Sequence, residues 1–151
     1  MIGGHHVTFR PVDAQEEYID IVVIGEGDFS AAKVINAFNR DGELADIPGI
    51  AINGNARQVF TKTAPLIPMD ELPIPARHLV EKYRNQYFQR TYRPIISINT
   101  SRGCPHRCSF CTLWKMNGGK YRTRSAHLVV DEIAGFQEQF VDFIDDNTIE
   151  D

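Results

Sequence analysis

The sequence predicts an α/β fold in two pieces, and three features carry that reading. The first is a β-branched apolar run, Ile19 to Ile24, that ends in Gly25-Glu26-Gly27-Asp28 and passes into helical spacing from Phe29 to Phe38. Strand, glycine turn and helix in succession are the half-unit of a doubly wound domain. The second is the set Pro65, Pro68, Pro73 and Pro75, which fixes backbone angles and removes amide donors, so that 63–75 reads as an extended connection. The third is the apolar strand segment Ile95-Ile96-Ser97-Ile98, which leads into Cys104-Pro105-His106-Arg107-Cys108-Ser109-Phe110-Cys111.

Taken in order, the chain opens on Gly3-Gly4-His5-His6, where a glycine pair permits a close backbone approach denied to other residues. In the helix that follows the first strand, Phe29, Ala32, Val34, Ile35 and Phe38 recur at helical spacing, and Asp28 or Ser30 is the expected cap. Ligands in such folds sit at the carboxyl ends of strands, where Gly25 and Gly27 fall. The phosphate-binding pattern GxGxxG is not met, because Ser30 takes the third glycine position. Ile50-Ala51-Ile52, a turn at Asn53-Gly54-Asn55, and Gln58-Val59-Phe60-Thr61 predict a small hairpin. Beyond the prolines a short helix is expected over 77–87, with Leu79, Tyr83 and Tyr87 on one face. Gly118-Gly119 loosens the chain before Lys120, and Trp114 is expected to pack. Ser125 is the expected N-cap of a helix carrying Leu128, Val129, Ile133 and Phe136. A last strand, Phe140-Val141-Asp142-Phe143-Ile144, runs into Asp145-Asp146-Asn147.

The 151 residues leave room for one ordinary domain or two partial ones, and 42% hydrophobic with 24% charged residues is a globular composition. Nothing approaches a membrane span, and the residues after Met1 form no basic-then-apolar leader, so a cytoplasmic protein is expected. The net charge of −4 conceals a block from Lys82 to Arg124 with ten Lys or Arg and no Asp or Glu. Such a block forms an electropositive shell around an anionic site, a nucleic-acid patch, or a set of solvated side chains, and by itself does not choose among them.

All three cysteines of the chain lie within 104–111. Thiolates so close together suit a soft metal centre: an iron-sulfur cluster, zinc or copper(I). A structural zinc needs a fourth ligand, for which His106 and His127 are the nearby candidates. A disulfide with one cysteine left over is the remaining alternative. Three ligands on a cubane 4Fe-4S cluster leave its fourth iron open to an exchangeable ligand.

The CxxxCxxC run, with Phe110 before the last cysteine, resembles the signature of the radical S-adenosylmethionine (SAM) enzymes. The resemblance implies that Cys104, Cys108 and Cys111 ligate a 4Fe-4S cluster and that Phe110 lies by the adenine of SAM. It also implies that SAM is cleaved reductively to methionine and a 5'-deoxyadenosyl radical, with the electron from an external donor such as flavodoxin or ferredoxin. Asp145 and Asp146 stand where the family binds the methionyl amino group, in place of its common Gly-Gly-Glu. Arg122 and Arg124 are candidates for the cosubstrate carboxylate.

Gly3-Gly4-His5-His6-Val7-Thr8, Gly25-Glu26-Gly27-Asp28 and the turn Asp46-Ile47-Pro48-Gly49-Ile50 are similar to the latter part of the cobalamin-binding domain that precedes one branch of these enzymes. By that resemblance Gly3, Gly4, Gly25, Glu26 and Gly27 contact cobalamin. The Asp-x-His-x-x-Gly motif of many cobalamin domains is missing, and His5 and His6 do not replace it. The implied organisation is a partial cobalamin-binding-like α/β domain over 1–62, a Pro-rich linker and short helix over 63–94, and the first βα units of a partial radical SAM barrel over 95–151. The implied activity is methyl transfer to an unactivated carbon or anaerobic cyclisation of a small molecule, with nucleic acid not the expected partner and this piece alone not expected to be active. The alternatives are a transfer-RNA methylthiotransferase, whose family carries further cysteines that are absent before Cys104, and an inactive iron-sulfur or zinc-binding fragment.

Overall fold

A computed structural model of the chain describes residues 1–40 and 42–148; residues 149–151, the end of the expected barrel segment, lie outside it, as does Asp41 within the expected first domain. The chain divides into two compact units, Met1–Ile67 and Pro68–Asp151.

In the first unit the strand expected at 19–24 forms as β1 (Ile21–Val23), the hairpin forms as β2 (Ile50–Asn53) and β3 (Gln58–Phe60), and all three make one sheet in the order β1-β2-β3. Both pairings are antiparallel, with Val22 opposite Ala51 and Ile52 opposite Val59. This departs from the parallel pairing of a doubly wound sheet: among the described residues, the parallel element here is the bridge between Ile2 and Val22. Successive side chains of a strand face opposite sides, and here both sides are covered. Ile21, Val23 and Ile50 pack with Val34 of α2 (Gly27–Asn39) and Ile47 on one side, while Val22 and Ala51 pack with Val7 of α1 (His5–Phe9) and Ala14 on the other. The three-layer arrangement explains why β1 is apolar at every position.

Helix α2 starts two residues before the expected Phe29, so that Glu26, not Asp28 or Ser30, stands at its N-cap position. No side chain caps its N-terminus, and the Ser30 hydroxyl instead donates to the carbonyl of Pro48 at 2.7 Å. Ala31, Val34 and Ala37 turn to the sheet, leaving Phe29, Ile35 and Phe38 exposed. The turn into β2 depends on Gly49. Its φ is +78°, and a Cβ there would lie 2.7 Å from Ala64 Cβ and 3.2 Å from the Ile24 carbonyl oxygen.

In the second unit β4 (Ile95–Ile98) and β7 (Phe140–Phe143) pair in parallel, Ile95 opposite Phe140 and Ile98 opposite Phe143. Between them come β5 (Ser101–Arg102), α3 (Leu113–Met116), β6 (Arg122–Thr123) and α4 (Ala126–Ala134). A parallel pair needs such a crossover, and α4 supplies its helix. The segment expected as a helix over 77–87 is a 3-10 helix, Arg77–Gln86, and its expected apolar face is not buried: Leu79, Tyr83 and Tyr87 are exposed. Charge holds it instead. Arg77 pairs with Glu132 at 2.6 Å and Arg84 pairs with Glu138, so the inward row contains arginines.

Ser125 precedes α4 but does not cap it through its side chain. Its N–H and hydroxyl both donate to the carboxylate of Asp70, at 2.7 and 2.5 Å, which ties the proline-rich segment to the start of α4. No helix among the described residues is long and apolar enough to cross a membrane.

Candidate cluster and cofactor site

The three thiols sit on the excursion that leaves β5 and returns through α3 to β6. Its two ends are joined by the ladder Ser101–Thr123 and Arg102–Arg122. They also meet at Gly103, whose φ is +93° and where a Cβ would fall 2.1 Å from the Lys120 carbonyl oxygen and 3.0 Å from Asn117 Cβ. Only glycine satisfies both the left-handed backbone and that approach. Asn117, itself buried, donates to the Leu113 carbonyl at 3.1 Å and accepts from Arg122 Nη2 at 3.0 Å, closing the return.

A carboxylate from the far end of β7 fixes the approach to this loop. Asp145 Oδ1 accepts from Asn99 Nδ2 at 2.7 Å, from the Thr100 N–H at 2.6 Å and from the Ser101 N–H at 2.9 Å, while Oδ2 accepts from the Thr100 hydroxyl. Asp146 Oδ2 accepts from the Gly103 N–H at 3.2 Å. The two aspartates expected at the cosubstrate therefore hold the chain from Asn99 to Gly103, just before Cys104. Sequence reasoning missed this clamp and the close approach at Gly103; the one legible sign was a glycine immediately before the first cysteine.

Cys104 and Cys111 are half-buried, Cys108 is exposed, and none is in a disulfide. The Cys111 N–H donates to the Cys108 carbonyl at 3.1 Å, turning the chain between the last two thiols. Phe110 is 90% exposed. As placed, no three Cys, His, Asp or Glu side chains among the described residues stand together closely enough to hold a metal, so neither the three thiols nor His106 and His127 are gathered into a ligand set. The donor set, three unpaired thiols on one solvent-facing loop with pinned ends, fits the chemistry of a thiolate-ligated iron-sulfur cluster.

Arg124 is not free for a cosubstrate carboxylate. Its Nη1 reaches Glu132 Oε2 at 2.5 Å, and Glu132 is buried between Arg124 and Arg77. The contact to Arg77 is an ion pair without hydrogen-bond alignment, since Glu132 Oε1 has no hydrogen-bond partner.

In the first unit the candidate glycines do come together, at the carboxyl end of β1. A Cβ at Gly3 would lie 3.4 Å from Val23 Cβ, and one at Gly27 would lie 3.4 Å from Val23 Cγ1. The Gly25 N–H donates to Thr8 Oγ1 at 3.0 Å, joining the two glycine segments. Gly4 and Gly25 have φ of +110° and +80° and face open space where a Cβ would stand. Glu26 Oε2 accepts from the Ile67 N–H at 3.3 Å. This glycine backbone, exposed at Gly3 and Gly4 and half-buried at Gly25 and Gly27, is a surface that a large cofactor can approach closely.

No protein-family model matches the chain. Hopanoid C-3 methylase of Methylococcus capsulatus is 35% identical over 150 residues, covering 96% of this chain and 28% of that protein. An uncharacterized methyltransferase of Pyrococcus horikoshii is 32% identical over 155 residues, covering 97% of this chain and 33% of the relative. Anaerobic magnesium-protoporphyrin IX monomethyl ester cyclase of Cereibacter sphaeroides is 32% identical over 138 residues, 88% of this chain and 22% of that enzyme. The chain thus spans about a quarter of the length of these curated relatives. Among solved structures, the radical SAM methyltransferase TsrM of Kitasatospora setae, with cobalamin and a 4Fe-4S cluster bound, superposes with a TM-score of 0.66 at 25% identity over 96% of this chain and 30% of its own. The cobalamin-dependent SAM radical enzyme OxsB, with aqua-cobalamin and SAM bound, shares the fold with a TM-score of 0.71 at 20% identity over 96% of this chain and 20% of its own. With its cysteine loop following shortly after the parallel strand β4 and these likenesses running along nearly its whole length, the chain belongs to the cobalamin-type radical SAM enzymes.

Proposed function

We propose that this chain is the part of a cobalamin-type radical SAM enzyme that binds a 4Fe-4S cluster and SAM, serving methyl transfer to an unactivated carbon or ring closure on a small-molecule substrate. The observation that carries this reading is the loop with three unpaired thiols, pinned at Gly103 and by the Asp145 clamp. When bound, such a cluster supplies the electron that cleaves SAM to methionine and a 5'-deoxyadenosyl radical, after an external donor such as flavodoxin or ferredoxin has reduced it.

The residues divide the work. Cys104, Cys108 and Cys111 are the ligands, and the loop draws their sulfurs together when it closes on the metal. Gly103 and Asp145 fix the chain just before the first ligand, where β5 ends. Phe110, nearly bare, lies by the adenine in this reading, and Asp146, exposed and bonded to the Gly103 N–H, is the carboxylate for the methionyl amino group. Asp145 has both oxygens engaged and acts through the backbone it holds. In the proposed division, 1–62 is the latter part of a cobalamin-binding domain, 63–94 the linker and 95–151 the opening of the barrel. Gly3, Gly4, Gly25, Glu26 and Gly27 form the cobalamin-facing edge.

Anaerobic reconstitution with iron and sulfide, followed by metal and sulfide analysis, tests the reading. The wild-type chain is expected to take up iron and sulfide in cubane proportion, and each single Cys→Ala variant is expected to lose most of both. Uptake of zinc with no sulfide would overturn it.

A further inference from the structure

Trp114 carries a donor that nothing among the described residues accepts. Its indole Nε1 is buried and has no hydrogen-bond partner. Buried donors are nearly always paired in native structures, because leaving one unpaired forfeits its hydration without return. The residue sits on α3, three positions after Cys111, and the Gly119 N–H donates to its carbonyl at 2.6 Å, so its backbone is held.

The ring is placed against the cysteine loop itself. The guanidinium carbon of Arg107, which lies between Cys104 and Cys108, stands 5.7 Å from the ring centroid, and the Lys115 ammonium stands 5.3 Å from it. Two cations therefore gather on the one tryptophan of the chain, one of them from between the first two cysteines. Packing alone accounts for the half-buried ring, but not for the unpaired N–H.

We propose that Trp114 is a positioning residue whose Nε1–H donates a hydrogen bond to sulfur of the bound iron-sulfur cluster, and that this bond, with Arg107 and Lys115 on the ring, raises the cluster's reduction potential. The inference rests on the cluster reading above. The reduced cluster carries one more negative charge, so a donor and nearby cations stabilise it more than the oxidised form, and hydrogen bonds to sulfur are a recognised lever on such potentials.

The single tryptophan makes the test site-specific. Chain grown with tryptophan labelled with nitrogen-15 in the indole is reconstituted anaerobically, reduced, and studied by pulsed hyperfine spectroscopy, with a potentiometric titration of wild type and Trp114→Phe alongside. The expected result is a nitrogen-15 coupling and an exchangeable proton coupling in wild type. Trp114→Phe keeps an aromatic ring but loses both, and its reduced-to-oxidised ratio at a fixed poise falls about tenfold, a shift of roughly 59 mV for a one-electron couple. A wild-type cluster with no indole coupling, or a Trp114→Phe cluster with unchanged potential, would overturn the inference and leave the cluster reading standing. Should Trp114→Phe fail to load, the wild-type coupling decides alone. Failure of wild type to form any cluster would overturn both.

Discussion

Asp145 accepts the backbone N–H of Thr100 at 2.6 Å, across the parallel pair β4 and β7 and 45 positions along the chain. The same carboxylate takes the Ser101 N–H and the Thr100 hydroxyl. A loop destined to hold metal through three flexible thiols needs a fixed start, and this carboxylate supplies it by satisfying backbone donors that the end of a strand leaves without partners.

Asp145→Ala is expected to leave those donors unpaired and to lower the stability of the second unit by roughly 3 kcal/mol, since hydrogen bonds to a charged group contribute about 1.5–3 kcal/mol each and do not add fully. Urea unfolding measures the loss. Iron retained after reconstitution is expected to fall with it, whereas a variant as stable and as iron-loaded as wild type would show that the clamp is dispensable.

Gly103→Ala is expected to be more damaging than any other single methyl added to the loop. The new Cβ would meet the Lys120 carbonyl oxygen at 2.1 Å, and the φ of +93° is strained for alanine. The cost is on the order of 3 kcal/mol or more. Gly118→Ala is the control: its φ of +61° imposes some strain, but nothing lies within 4 Å of its Cβ. Thermal unfolding of the two variants separates collision from backbone strain.

Much of the architecture is legible in the sequence, because local pattern and tertiary packing agree there. The alternation around Asn53-Gly54 gives the hairpin, and Ile95-Ile96-Ser97-Ile98 gives β4. What is not legible depends on partners distant along the chain. The hydroxyls of Ser30 and Ser125, the natural caps, are taken by Pro48 and Asp70. The helical face of Leu79, Tyr83 and Tyr87 gives way to Arg77 and Arg84 because Glu132 and Glu138 stand opposite. The three cysteines are evident from spacing; the clamp that serves them is not, since nothing local distinguishes Asp145 from a turn residue.

Glu132→Ala is expected to destabilise the second unit by about 3–5 kcal/mol, because it strands two largely buried guanidinium groups, those of Arg77 and Arg124. Urea unfolding is the measurement. Lys in place of Arg124 is expected to recover only part of the pairing.

The Ser125 hydroxyl and N–H hold the carboxyl of Asp70 below the usual aspartate range. A carboxyl whose pKa is lower folded than unfolded contributes stability that is full above its unfolded value of about 3.9 and is lost as pH falls through the folded value. Acid titration of stability is therefore expected to show a loss beginning below about pH 4 that is diminished in Asp70→Asn. Asp13, lowered chiefly by its hydrogen bond from Arg10, acts in the same direction in the first unit.

The most direct test of the central claim is electron paramagnetic resonance of the anaerobically reconstituted, reduced chain, recorded with and without SAM. A cubane signal that changes when SAM is added is expected, because three cysteines leave one iron open to the cosubstrate. A cubane signal indifferent to SAM, or no cluster at all, would contradict the assignment of cluster and SAM binding to this chain.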